Sequence, residues 1–112
     1  MPGTITVRYI QEYLKKKDYN KAARTDYMLK LVEEVGELSR ALYKWDGQSH
    51  PEADGVKGTL EEELCDVLYY TLALANVCDI DVETWFPRKE ELNAKKWNQP
   101  IPFDPLGAEE EK

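Results

Sequence analysis

The sequence predicts an all-α fold, a four-helix-type bundle that dimerisation would complete. Three observations carry this. Apolar residues recur at helical spacing, most cleanly in Met28, Leu31, Val32, Val35, Leu38 and Leu42. No segment shows the two-residue alternation of a half-buried strand. The breaks between apolar stretches carry helix-ending and helix-starting residues: Asp46-Gly47, Thr59 with Glu62, and Asp79-Ile80-Asp81.

Thr4-Ile5-Thr6 is suited to cap a first helix running to Lys16, with Ile5, Tyr9, Ile10, Tyr13 and Leu14 as its apolar stripe. Asp18 to Arg24 reads as a break or a short turn. The second helix is expected from Thr25 or Asp26 to Trp45 and ends at Asp46-Gly47. Gln48 to Gly58, holding His50-Pro51 and Asp54-Gly55, is a polar loop. Thr59 then caps a third helix, and Glu62 completes a capping box. From Leu64 to Cys78 this helix is apolar on nearly every side, as the central buried helix of a bundle would be. Asp81 is placed to cap a fourth helix, open to interruption at Pro87, that ends near Trp97. Residues 1–100 therefore form one domain. Residues 101–112 form an irregular tail in which Ile101 and Phe103 are candidates to dock on the body.

A chain of 112 residues is one domain with a modest core, small enough for oligomerisation to help. Its 15 Lys and Arg are outnumbered by 22 Asp and Glu, and a net charge of −7 argues against binding a nucleic-acid polymer. Cys65 and Cys78 stand too far apart on one helix to bridge, and read as two buried free thiols in a reducing cytoplasm. The start of the chain has no signal-peptide pattern and no stretch is long enough to span a bilayer, so a cytoplasmic location without membrane partners is expected.

Chemistry concentrates in two acidic motifs, Glu33-Glu34-Val35-Gly36-Glu37 and Glu61-Glu62-Glu63-Leu64-Cys65-Asp66. Glu34 with Glu37, and Glu63 with Asp66, are i, i+3 pairs, each able to reach one object from one helical face. Four clustered carboxylates repel one another and resist desolvation, so a cation must compensate. Oxygen-only donors suit Mg²⁺, with Mn²⁺ as a substitute, rather than zinc. The plain alternative is a solvated acidic face. Asp66 argues against it, because Asp is a costly residue to bury in an apolar helix and no Lys or Arg lies between Gly58 and Arg88. An ion pair with Lys30, Arg40 or Lys44 would not balance the carboxylate excess. Tyr70 falls within ~60° of Glu63 and Asp66 on the same helix. Gly36 costs about 1 kcal/mol relative to Ala in a helix interior, so either a close helix or a ligand phosphate is expected beside it.

Lys30-Leu31-Val32-Glu33-Glu34-Val35-Gly36-Glu37-Leu38, followed after a loop by Glu63-Leu64-Cys65-Asp66-Val67-Leu68-Tyr69-Tyr70, resembles the signature of the MazG-like nucleoside triphosphate pyrophosphohydrolases. These belong to the all-α superfamily that includes dCTP pyrophosphatases and dimeric dUTPases. The resemblance implies Mg²⁺-dependent hydrolysis of a nucleoside triphosphate to the monophosphate and pyrophosphate, in nucleotide-pool house-cleaning. It implies Glu34, Glu37, Glu63 and Asp66 as metal ligands and Glu33 as the group that orients or deprotonates the attacking water. It places Tyr70 at the nucleotide, and Lys89 and Asn93 of the last helix at the phosphates, with Lys95 and Lys96 competing for the phosphate role and Lys96 kept as a substrate-binding candidate. Trp45 and Tyr43 are further stacking candidates. A homodimer or homotetramer is implied as well. Two other readings compete: an acidic helical module that binds a basic partner, and a ferritin-like di-metal bundle. The second wants Glu-x-x-His pairs, whereas the sole histidine, His50, sits in a loop.

Overall fold

The computed structural model describes residues 3–97, so Ile101, Phe103 and the tail lie outside the described residues. Four helices form: α1 (Val7–Lys17), α2 (Arg24–Lys44), α3 (Leu60–Val77) and α4 (Val82–Lys96). A single 3-10 turn at Lys21–Ala23 fills the break before α2, and the described residues contain no strand. No helix among them is long and apolar enough to cross a membrane.

Side-chain chemistry sets the helix starts. Thr6 Oγ1 accepts from Tyr9 N–H at 3.0 Å to open α1, and Asn20 Oδ1 accepts from Ala22 N–H at 3.1 Å to open the 3-10 turn. At α3, Glu62 N–H donates to Thr59 Oγ1 at 3.3 Å. The Glu62 carboxylate returns to Gly58 N–H at 2.5 Å, one residue earlier than a capping box places it. Asp81 occupies the N-cap position of α4 without bonding the helix backbone, because Arg8 and Thr84 take its carboxylate instead. α4 runs unbroken through Pro87.

α2 and α3 pack antiparallel as the most closely contacting helix pair, so that Lys30 meets Tyr70 while Glu34 meets Asp66. α1 lies on α3, and the core is Leu14, Tyr27, Leu72, Ala73 and Val77, flanked by Val7, Ile10, Leu74 and Val82. Two polar networks fasten α1. Buried Gln11 donates to Asn76 Oδ1 at 2.9 Å and to Ile80 O at 2.8 Å, and accepts from Val82 N–H at 3.0 Å. Asp18, at the end of α1, accepts from Tyr27 Oη at 2.8 Å and from Tyr69 Oη at 2.7 Å. One carboxylate thus joins α1, α2 and α3.

Several expectations are corrected here. The core-facing row of α2 is Tyr27, Leu31, Glu34, Leu38, Ala41 and Trp45, while Met28, Val32, Val35 and Leu42 of the expected stripe are exposed. On α1, Leu14 and Ile10 pack inward but Ile5, Tyr9 and Tyr13 face outward. Apart from Glu63, the buried residues of α3 lie in its second half, since α4 packs on α1 and leaves Leu64 and Leu68 exposed. Both thiols are exposed: Cys65 adjoins the exposed Leu64, and Cys78 caps the end of α3. A Cβ on Gly36 would meet nothing within 4 Å, so no neighbouring helix among the described residues requires that glycine.

Asp18 was inconspicuous in the sequence, yet its loss has a calculable consequence. Asp18→Ala leaves two half-enclosed phenols without their acceptor and lowers unfolding free energy by about 1–3 kcal/mol, to be read by urea denaturation. Burial first, and then the Asp18 hydrogen bond, raise the pKa of Tyr27 and Tyr69. A raised tyrosine pKa favours the protonated fold, so this contribution is full below about pH 10 and disappears as pH rises past the unfolded value. The wild type should therefore lose stability above pH 10, and Asp18→Ala should lose less of it there.

Candidate functional site

Midway along the α2–α3 pair, three carboxylates converge. Glu34, Glu63 and Asp66 each bring one oxygen to a point where all three oxygens lie within 4.8 Å of one another. The spacing accounts for this. Glu34 lies on the core-facing row of α2, and Glu63 and Asp66 stand one turn apart on the facing side of α3. Glu63 is 8% exposed, and its Oε1 has no hydrogen-bond partner among the described residues. A buried carboxylate oxygen without a donor is costly, and an oxygen-coordinated cation is a partner that would relieve it.

The electrostatics point the same way. Burial is the largest cause raising the pKa of all three groups, and neighbouring carboxylates add to it. Glu37 lies outside the tight trio, but its charge raises all three pKa values. Two lysines act in the opposite sense. Lys30 draws the Glu34 pKa down, and Lys57 draws the Asp66 pKa down. Lys57 had no role in the sequence reading. Its one signal was being the only Lys or Arg between Lys44 and Arg88.

The remaining candidates are placed as follows. Glu33 points outward and pairs with Lys30 at 3.1 Å. Tyr70, one turn beyond Asp66, is half-buried, packs on Tyr69 at 4.9 Å between ring centres, and lies 5.9 Å from Lys30 Nζ. With Asp18, Asn20, Asp26, Tyr27 and Lys30 it lines a cavity of about 270 Å³. Lys89 Nζ lies 3.5 Å from Asn93 Oδ1 on α4, and Lys96 Nζ lies 5.3 Å from the Trp97 ring centre. Because α4 docks on α1, the chain does not pack these three against the α2 carboxylates. Trp45 donates to Ser49 O at 2.8 Å and tilts against His50 at 6.0 Å, beside a second cavity of about 380 Å³. Tyr43 is 90% exposed.

Comparison with known proteins agrees with the all-α fold. The chain is 36% identical over 74 residues to dCTP pyrophosphatase 1 of Homo sapiens, a stretch covering 62% of this chain and 43% of that protein. It is 39% identical over 56 residues to the uncharacterised protein YpjD of Bacillus subtilis, half of each chain. The chain thus spans half or less of the length of these curated relatives. Its fold superposes on a crystal structure of iMazG from Vibrio DAT 722 with a TM-score of 0.75 at 40% identity, covering 84% of this chain and 99% of that one. The MazG nucleotide pyrophosphohydrolase domain model matches residues 23–96, from the 3-10 turn to the end of α4 and across both acidic motifs. On that match the chain belongs to the MazG nucleotide pyrophosphohydrolase family.

Proposed function

We propose that this protein hydrolyses a (deoxy)nucleoside triphosphate to the monophosphate and pyrophosphate with Mg²⁺, a house-cleaning activity on the nucleotide pool. The observation that carries the reading is the buried, unpartnered Glu63 oxygen inside a trio of facing carboxylates. Its donors fit a hard divalent cation, being oxygen only. Glu34, Glu63 and Asp66 would hold the ion, with Glu37 completing the charge. When bound, such an ion neutralises phosphate oxygens and lowers the pKa of an attacking water.

The chain's own residues supply the rest. Glu33 stands at the border of the trio and would orient the water or accept its proton after exchanging its Lys30 partner. Tyr70 borders the nucleoside. Lys89, Asn93 and Lys96 would counter phosphate charge from α4, which suits a site closed by a second copy of the chain. Support for a homodimer lies in the exposed apolar face of Met28, Val32, Val35 and Leu42 on α2 with Leu64 and Leu68 on α3. Open space at Gly36, beside that face, leaves room for close approach. A basic-partner module fits less well, since a protein ligand would not reach the enclosed Glu63 oxygen. A ferritin-like site fits less well too, since His50 pairs with Glu61 outside the trio.

A panel of canonical and damaged triphosphates, dCTP first, tests the reaction. Pyrophosphate is the expected first product with Mg²⁺ present, and a nucleoside diphosphate as first product would reject the assignment. In the same assay Glu33→Gln should lower kcat by about 10²–10⁴-fold with little change in nucleotide affinity.

Metal binding is testable without turnover. Glu34, Glu63 and Asp66 have raised pKa values, so the metal-free fold gains from these groups as pH falls through those values toward the unfolded 4.5 and 3.8. Mg²⁺ needs them ionised, so the rise in melting temperature on adding Mg²⁺ should be largest near pH 7–8 and shrink toward pH 5. Asp66→Asn removes one repelling charge. Its metal-free melting temperature should equal or exceed that of wild type, and its Mg²⁺ response should vanish. A mutant that fails to fold would instead mark Asp66 as structural.

The subunit reading is checked by light scattering. Leu68→Glu should halve the mass of the assembly while leaving the helical signal in place. An unchanged mass removes this face as the interface.

A further inference from the structure

The cavity of about 270 Å³ beside the trio is lined by Asp18, Asp26, Tyr27, Tyr70 and a single cation, Lys30. The Asp18 carboxylate there is already taken by the phenols of Tyr27 and Tyr69, at 2.8 and 2.7 Å. Two contacts place the Lys30 ammonium. Its Nζ lies 3.1 Å from Glu33 Oε1 and 5.9 Å from the Tyr70 ring centre. The ion pair is open to water, with side chains 49% exposed for Lys30 and 57% for Glu33. An i, i+3 pair so exposed holds its partners weakly and exchanges readily.

Helix geometry sets this ammonium next to the carboxylates. Lys30 precedes Glu34 by one turn of α2, and Tyr70 follows Asp66 by one turn of α3. The helices run antiparallel, so both steps lead the same way, and Lys30 meets Tyr70 across the cavity. The cavity beside Trp45 and His50 also carries a lysine, Lys44, but it stands ~15 Å along α2 from Glu34 at ~1.5 Å per residue. Lys30 stands ~6 Å along it. Of the two cavities' lysines, Lys30 is therefore the one within reach of a ligand seated on the trio.

Three carboxylates and one divalent ion still leave net negative charge, which opposes a phosphate chain unless a further cation stands beside it. Resting on the proposed function, we infer that Lys30 binds a substrate phosphate beside the metal-bound one, and that the substrate thereby draws Lys30 away from Glu33. Phosphate oxygens offer an ammonium charge-assisted acceptors, as the carboxylate does. Glu33 is then released toward the attacking water only while substrate is in place. Between turnovers the pair re-forms and holds Glu33 aside.

The test uses the α,β-methylene analogue of whichever panel triphosphate is hydrolysed fastest. Its binding is measured by calorimetry with Mg²⁺ present, for wild type, Lys30→Gln, Lys30→Arg, Glu33→Gln and the Lys30→Gln, Glu33→Gln double variant. Lys30→Gln should bind the analogue about tenfold more weakly, in the range of one charge-assisted hydrogen bond at an exposed position. Lys30→Arg should keep most of the affinity. Glu33→Gln, which frees Lys30 in advance, should bind about twofold more tightly, the worth of one exposed i, i+3 pair. Against that background Lys30→Gln should then cost about twentyfold, the product of the two effects. A lysine that acted only by holding Glu33 would cost nothing there, and that outcome overturns the inference. A fall in melting temperature and in Mg²⁺ affinity without nucleotide, in step with the analogue, would make Lys30 structural and overturns it too. Equal analogue binding by wild type and Lys30→Gln, in a preparation that hydrolyses triphosphates, overturns it alone. A wild type that hydrolyses no triphosphate of the panel overturns the proposed function, and the inference with it.

Discussion

The structure turns on the repulsion among Glu34, Glu63 and Asp66 where α2 and α3 face each other. Ionised pairs at this separation cost on the order of 3 kcal/mol each at an effective dielectric of about 20. That exceeds the return from a typical surface ion pair. No side-chain donor among the described residues reaches the enclosed Glu63 oxygen to relieve it. Packing must therefore hold the two helices together against their own charges until a cation or protons arrive. The same arrangement sets the rotation of α2. With Glu34 turned inward, Tyr27, Leu31, Leu38, Ala41 and Trp45 follow on the core-facing row, and the row centred ~100° away, with Met28, Val32, Val35 and Leu42, faces outward.

What holds the strained pair lies at one end of it. Tyr27 of α2 and Tyr69 of α3 both donate to Asp18, and Leu72, Ala73 and Val77 close the core beneath them. Gln11 fixes α1 to the turn between α3 and α4 through Asn76, Ile80 and Val82. Arg8 adds a bridge to Asp81 and Glu83 at the surface, where its contribution to stability is small. The apolar core therefore concentrates at the second half of α3, while the carboxylates occupy the first half, where Leu64 and Leu68 are uncovered.

This division suits a site that handles highly charged phosphate. The chain is acidic overall, and its carboxylate trio alone would repel a triphosphate. Lys30 of α2 lies beside Tyr70, and the charges of Lys30 and Lys57 draw down the pKa of Glu34 and Asp66. The cavities on either side of the trio, one lined by Tyr27 and Tyr70 and the other by Trp45 and His50, leave room for a ligand longer than a lone ion.

By itself the sequence determined the helix count, the caps at Thr6 and Thr59 and the family, because these depend on residue type and spacing along a few turns. It also singled out both acidic motifs, since Asp66 in an apolar helix is anomalous whatever surrounds it. Tertiary structure alone decided which faces are covered. Local periodicity marks an apolar stripe but not its partner, so Val32, Val35 and Leu64 read as core although no helix among the described residues covers them. For the same reason Cys65 and Cys78 read as buried and are exposed. Gln11 was not singled out and Asp18 read only as the start of a break, because their partners Asn76, Ile80, Tyr27 and Tyr69 arrive from other parts of the chain.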